Sequence, residues 1–126
     1  SPNETLHFEM PYVLLDEDAL YSQFGGDHQM LIEVAEEFIS KTDDHLGSIE
    51  NAISENSPKK LEEAAHMLKG AASNFRADKI VRKSLELELL GRKGTCSGAW
   101  PIYEDLKSCV LALNQELKSI SIKKAI

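Results

Sequence analysis

The sequence predicts an all-α protein, an antiparallel four-helix bundle with a short additional N-terminal helix. Three observations predict it. Apolar residues recur at three-and-four spacing in four long segments. Gly, Pro, Ser and Asp punctuate the chain between those segments. No segment alternates with the period of two that marks a strand. Four amphipathic helices on short connections bury their stripes by packing antiparallel around one core. At 126 residues, 42% hydrophobic and 28% charged, the chain has the size and composition of one globular domain.

Residues 1–15 read as an irregular lead-in, because Pro2 and Pro11 oppose regular helix, and the bundle is expected over residues 16–122. A short helix from about Asp16 to Phe24 stops at Gly25-Gly26. Asp27 then N-caps a long helix whose stripe is Leu31, Val34, Ala35, Phe38, Thr42, Leu46, Ile49 and Ile53. Glu33, Glu36, Glu37, Asp43 and Asp44 fall largely between them. Ser57-Pro58 starts the next helix, with Ser as N-cap and Pro in its first turn, and this helix runs to about Phe75. Asp78 is the expected cap of a helix that continues through Ile80, Val81, Ser84, Leu85, Leu87 and Leu89. Gly91 to Gly98 reads as a loop. The last helix begins near Pro101 and carries Tyr103, Leu106, Val110, Leu113, Leu117 and Ile120.

No run of 18 or more apolar residues is present, so no membrane span is expected. Ser1-Pro2-Asn3-Glu4 lacks the basic-then-apolar pattern of a secretory signal. Cys96 and Cys109 make no metal or redox spacing and read as reduced thiols, which points to the cytoplasm. The net charge of −7 is uneven: residues 1–58 hold thirteen Asp/Glu and one Lys, whereas residues 59–93 hold nine Lys/Arg against five acids. An acidic chain with one basic sector argues against general nucleic-acid binding and suits an acidic protein or a phosphoryl group at that sector.

At 100° per residue, Leu61, Ala64, Leu68, Ala71, Ala72 and Phe75 gather on the core side of the helix after Ser57. His66 lies roughly opposite, pointing to solvent, with Lys59, Glu62, Glu63, Lys69, Gly70 and Ser73 within roughly 60° of it. Gly70 costs about 1 kcal/mol against Ala in a helix interior, and the stripe continues past it without a kink. Bare backbone one turn from an exposed His is useful when another molecule must come close. Lys69 can bring an ammonium near a group on the imidazole, and Ser73 leaves room and offers a hydroxyl.

His66-Met67-Leu68-Lys69-Gly70-Ala71-Ala72 resembles the H-x-L-K-G-small-small signature of histidine-containing phosphotransfer (HPt) domains. Ser84-Leu85-Glu86-Leu87-Glu88 is similar to that family's small-x-x-Leu-Glu segment, and Phe24-Gly25-Gly26-Asp27 to its pattern before the long helix. The resemblance spans roughly residues 16–118. It implies a phosphorelay carrier in which His66 takes a phosphoryl group from the aspartyl phosphate of a response-regulator receiver and returns it to another, attacking through Nε2 of a neutral imidazole. Lys69 would offset charge, Gly70 would admit the partner and Ser73 would assist. Lys59, Glu62, Glu63 and Arg76 would meet the partner, free-standing or within a hybrid histidine kinase. Arg76 stands where the family often has Gly. The magnesium and acidic pocket would be the receiver's, so no cofactor or metal is expected here.

The chain has no Gly-rich nucleotide loop, so no autonomous kinase activity is expected; the resemblance implies a covalent carrier, and a monomer is expected. Two related readings are the phosphate-accepting domain of a chemotaxis-type kinase and a receiver-binding module without transfer. A metal-binding bundle is disfavoured: Glu63-Ala64-Ala65-His66 has the Glu-x-x-His spacing, but the other match, Glu4 to His7, lies in the irregular segment. His28 and His45 read as solitary surface residues.

Overall fold

The computed structural model describes residues 15–125, with side chains through Ile120. Within them the chain forms α1 (Glu17–Gln23), α2 (His28–Ser54), α3 (Pro58–Ser73), α4 (Asp78–Arg92) and α5 (Ala99–Ala125), with no strand. The all-α class and the helix count are as predicted. Pro2, Pro11, Glu4 and His7 lie outside the described residues.

Local chemistry starts three of the helices where expected. Asp16, Asp27 and Ser57 accept hydrogen bonds from the backbone N–H of Ala19 (3.0 Å), Met30 (2.9 Å) and Lys60 (3.3 Å). Gly25 and Gly26 turn the chain between α1 and α2 at φ of 67° and 77°. Asp78 does not cap α4. It is the first helical residue, and Ala77 holds the cap position with no side-chain hydrogen bond, its methyl group buried in the core. α3 stops at Ser73, and Arg76 just beyond it adopts φ 55°, the left-handed conformation that favours Gly. α5 starts at Ala99, two residues before Pro101, which is tolerated because first-turn N–H groups have no helical acceptor.

Each long helix packs against two others, α2 on α3 and α5, α4 on α3 and α5. The core runs through Phe38, Ile49, Leu61, Leu68, Phe75, Ile80, Leu87, Tyr103, Leu106, Leu113 and Leu117. Burying side chains of this size contributes about 1.5–3 kcal/mol each. Two polar contacts align α2 with α5. Asn114 donates from Nδ2 to Thr42 Oγ1 at 2.7 Å, and the Tyr103 hydroxyl lies 3.3 Å from the Leu46 carbonyl and from Glu50. Burial first, then Glu50, pushes the Tyr103 hydroxyl up to about 12.

α3 and α4 approach most tightly, and their facing positions are small: Ala65, Ala72, Ser84 and Gly91 are all buried. Gly91, expected in a loop, is inside α4. A Cβ there would lie 2.4 Å from the Pro58 carbonyl oxygen and 2.7 Å from the Glu62 nitrogen. The stripe of α4 is accordingly Ile80, Ser84, Leu87, Glu88 and Gly91, while the predicted Leu85 and Leu89 are exposed. At 100° per residue these two fall on the side of α4 away from Ile80, Leu87 and Gly91. Gly70 is the opposite case, since a Cβ there meets nothing within 4 Å.

The two glycines should therefore respond oppositely to alanine. Gly91→Ala is expected to lose about 1–3 kcal/mol by overpacking, and Gly70→Ala to gain about 0.5–1 kcal/mol from helix propensity. Urea titrations of both variants check this; equal effects would refute the account of the α3–α4 contact.

Candidate functional site

His66 stands in the middle of α3 with its side chain 66% exposed, so the rotation of the helix is as predicted. What periodicity did not anticipate is its partner. Nδ1 lies 3.0 Å from Oε2 of Glu88 on α4, a side chain only 4% exposed. The narrow α3–α4 gap, opened by no large side chain, brings the two residues within reach.

Glu88 is the hub of a charge cluster. Lys69 Nζ pairs with its Oε1 at 2.6 Å, and Arg92 donates from Nη2 to its Oε2 at 3.1 Å. Arg92 also donates from Nε to Glu62 Oε2 at 2.9 Å, tying the N-terminal half of α3 to the end of α4. Glu88 is covered by the side chains that bind it, so burial does not dominate its titration. The Lys69 ammonium first, and the His66 contact after it, hold the carboxyl below the usual range despite desolvation. A carboxylate only accepts hydrogen bonds, so the shared proton sits on His66 Nδ1 and the lone pair of a neutral ring is on Nε2.

The other candidates distribute around this centre. Gly70 lies bare on the exposed side of α3. The Ser73 hydroxyl donates to the Gly70 carbonyl at 2.7 Å and is turned into its own helix. Lys69 is half-buried and leans on Glu88, where the sequence had it only near the imidazole. Lys59 and Glu63 are exposed on α3, Glu62 is bound by Arg92, and Arg76 is exposed beyond the helix end. Met67, beside His66, is 64% exposed and borders a groove of about 570 Å³ between α2 and α3 that also takes in His45, Ala64 and Glu63.

Sequence reasoning missed Arg92, and it had Glu88 only as the last residue of a motif. The available signal was a carboxylate four residues after Ser84, on the small-residue face of α4, with Arg92 one turn further on. The other histidines are less solitary than expected. His28 stacks on Tyr21 with ring centroids 3.9 Å apart, and His45 is half-buried, its basicity lowered by burial and then by Lys41. Cys96 and Cys109 are both free and buried. Among the described residues no group of three His, Cys, Asp or Glu could hold a metal ion, and no helix is long and apolar enough to cross a membrane.

The direction of the Glu88 shift fixes a pH dependence. A depressed carboxyl stabilises the fold above its unfolded-state value, here 4.5, and that contribution disappears as pH falls through the lower folded value. Thermal unfolding of the native chain and Glu88→Gln should differ at pH 7 by about 1–3 kcal/mol and converge in acid. A difference independent of pH would contradict the assignment.

No curated protein and no solved structure matches the chain. The family model described as the Hpt domain matches residues 33–119, a span that contains all of α3 and α4. With well over half its length inside that match, the chain belongs to the Hpt domain family, whose members act in histidine phosphotransfer in two-component systems and interact with response-regulator receivers.

Proposed function

We propose that His66 accepts a phosphoryl group from the aspartyl phosphate of one receiver and passes it to the aspartate of another. One observation carries the reading: Nδ1 is held 3.0 Å from the covered Glu88 carboxylate, which leaves Nε2 with a free lone pair on an exposed ring. The carrier unit is the bundle of residues 16–122, within which the family match falls, with residues 1–15 as its lead-in.

In the forward step the Nε2–P bond forms as the P–O bond of the aspartyl phosphate breaks, and the electron pair leaves with the aspartate as carboxylate. Positive charge develops on the imidazole, whose Nδ1 proton stays in place against Glu88. The return step reverses both bonds and restores the neutral ring. No proton enters or leaves in either direction, so catalysis reduces to positioning and charge. Glu88 fixes the tautomer and offsets the imidazolium. Lys69, bound to Glu88 at rest, lies one turn from His66 and offsets phosphoryl charge. Gly70 admits the receiver, and Ser73 is auxiliary through its small size. Lys59, Glu62, Glu63 and Arg76 form the rim that meets the receiver. The receiver brings the metal ion; this chain acts as a cytoplasmic monomer with no cofactor and no kinase activity of its own.

Incubation with a panel of phosphorylated receivers tests this. Label should reach the native chain, survive base, be lost in acid and be absent from His66→Gln. Receiver binding without transfer would sink the carrier role. Glu88→Ala should keep the label but form it about ten- to a hundredfold more slowly, as expected for a charge-assisted hydrogen bond of about 1.5–3 kcal/mol. An unchanged rate in stopped-flow transfer would remove Glu88 from the mechanism.

A further inference from the structure

We infer that His45, on α2, belongs to the surface the receiver covers and serves it only as a neutral ring, so that mild acid weakens docking. The inference deepens the carrier reading and rests on His66 as the acceptor. A continuous groove carries it. The cavity of about 570 Å³ between α2 and α3 shares Lys41, His45 and Met67 with a second cavity of about 210 Å³. His45 is half-buried in the wall of both, with the Phe38 ring at 6.2 Å between centroids. Met67 follows His66 directly and is 64% exposed, so the groove opens beside the acceptor. A specific interface covers about 800 Å² on each partner, a patch roughly 30 Å across, whereas packed helices lie only about 8–10 Å apart. A receiver that brings its aspartate to Nε2 therefore covers the groove as well.

The charged groups along the groove come from the two helices that form it: Glu37, Lys41, Asp44 and Glu55 from α2, Lys60 and Glu63 from α3. No residue lining it belongs to α4 or α5. Lys60 lies 2.9 Å from Glu55 and Lys41 lies 3.8 Å from Glu37, so both cations are paired within the chain. On the ring itself, burial first and then Lys41 lower the basicity, and Asp44 opposes them by less. His45 therefore gives up its proton below its ordinary 6.5 and is uncharged at neutral pH.

Docking completes that burial. A receiver over the groove takes water from the exposed half of the ring, and an imidazolium there becomes costlier still beside Lys41. The receiver thus binds the neutral form more tightly than the charged one, and by linkage its binding expels the proton. Below the value of the free ring, affinity falls with the shrinking neutral fraction, by at most about tenfold per pH unit for one proton. Above that value affinity is level.

The probe is the unphosphorylated form of whichever receiver labels His66 fastest. The chain carries His66→Gln, which removes titration of the acceptor from the measurement. Between neutral pH and about pH 5, the calorimetric Kd should rise about three- to tenfold more in this chain than in the same chain with His45→Gln. His45→Arg, charged throughout, should bind weakly at every pH. The NMR titration of the His45 ring should move to lower pH when the receiver is added. Melting temperatures at each pH separate these effects from loss of fold. Parallel Kd profiles with and without His45 would overturn the inference, as would His45→Arg binding as tightly as His45→Gln. Failure of every receiver to label His66 in the native chain would instead overturn the acceptor reading itself.

Discussion

The buried carboxylate of Glu88 is the point on which the site depends. A charge withdrawn from water is tolerated only when paired and hydrogen-bonded, and Glu88 meets that condition with Lys69, Arg92 and His66. The same condition specifies the site. A carboxylate that must be satisfied holds the imidazole by one nitrogen and so leaves the other for chemistry. An interaction required by the fold thus selects the tautomer.

That contact exists because α3 and α4 come unusually close. Gly91 touches the backbone of Pro58 and Glu62, and Ser84, Ala65 and Ala72 continue the narrow seam. Larger residues would have pushed Glu88 out of reach of Nδ1. α2 and α5 form the rest of the scaffold, aligned by the Thr42–Asn114 and Tyr103 contacts. With α2 and α4 packed on its buried side, α3 turns His66 outward.

The rest of the exposed side of α3 is open. Gly70 projects nothing, Ser73 is tucked into its own helix, and Met67 begins the groove that separates α3 from α2. On one flank of His66 lies an ordered charge cluster, and on the other an accessible mixed groove. The basic sector seen in the sequence is largely internal pairing. Lys69 and Arg92 face Glu88, and Lys79 and Lys83 face Asp105 on α5.

Much of this was legible one helix at a time. The caps at Asp27 and Ser57, the stripe from Leu31 to Ile53 and the outward rotation of His66 are set by short-range backbone chemistry and a period of 3.6 residues. The family resemblance likewise followed from three short runs of residues, Phe24 to Asp27, His66 to Ala72 and Ser84 to Glu88. On α4, Gly91 was placed in a loop although it packs against α3, and Leu85 and Leu89 were counted with the stripe although they lie on the far side of the helix. A pattern of apolar residues carries no measure of the gap between two helices, and it was the gap that drew Ser84, Glu88 and Gly91 into the buried face beside Ile80 and Leu87. For the same reason the sequence by itself determined that His66 is exposed, while only the tertiary structure decided which of its nitrogens is free. That choice depends on a hydrogen bond between residues 22 apart in the chain, made by the rotation and spacing of two helices rather than by either alone.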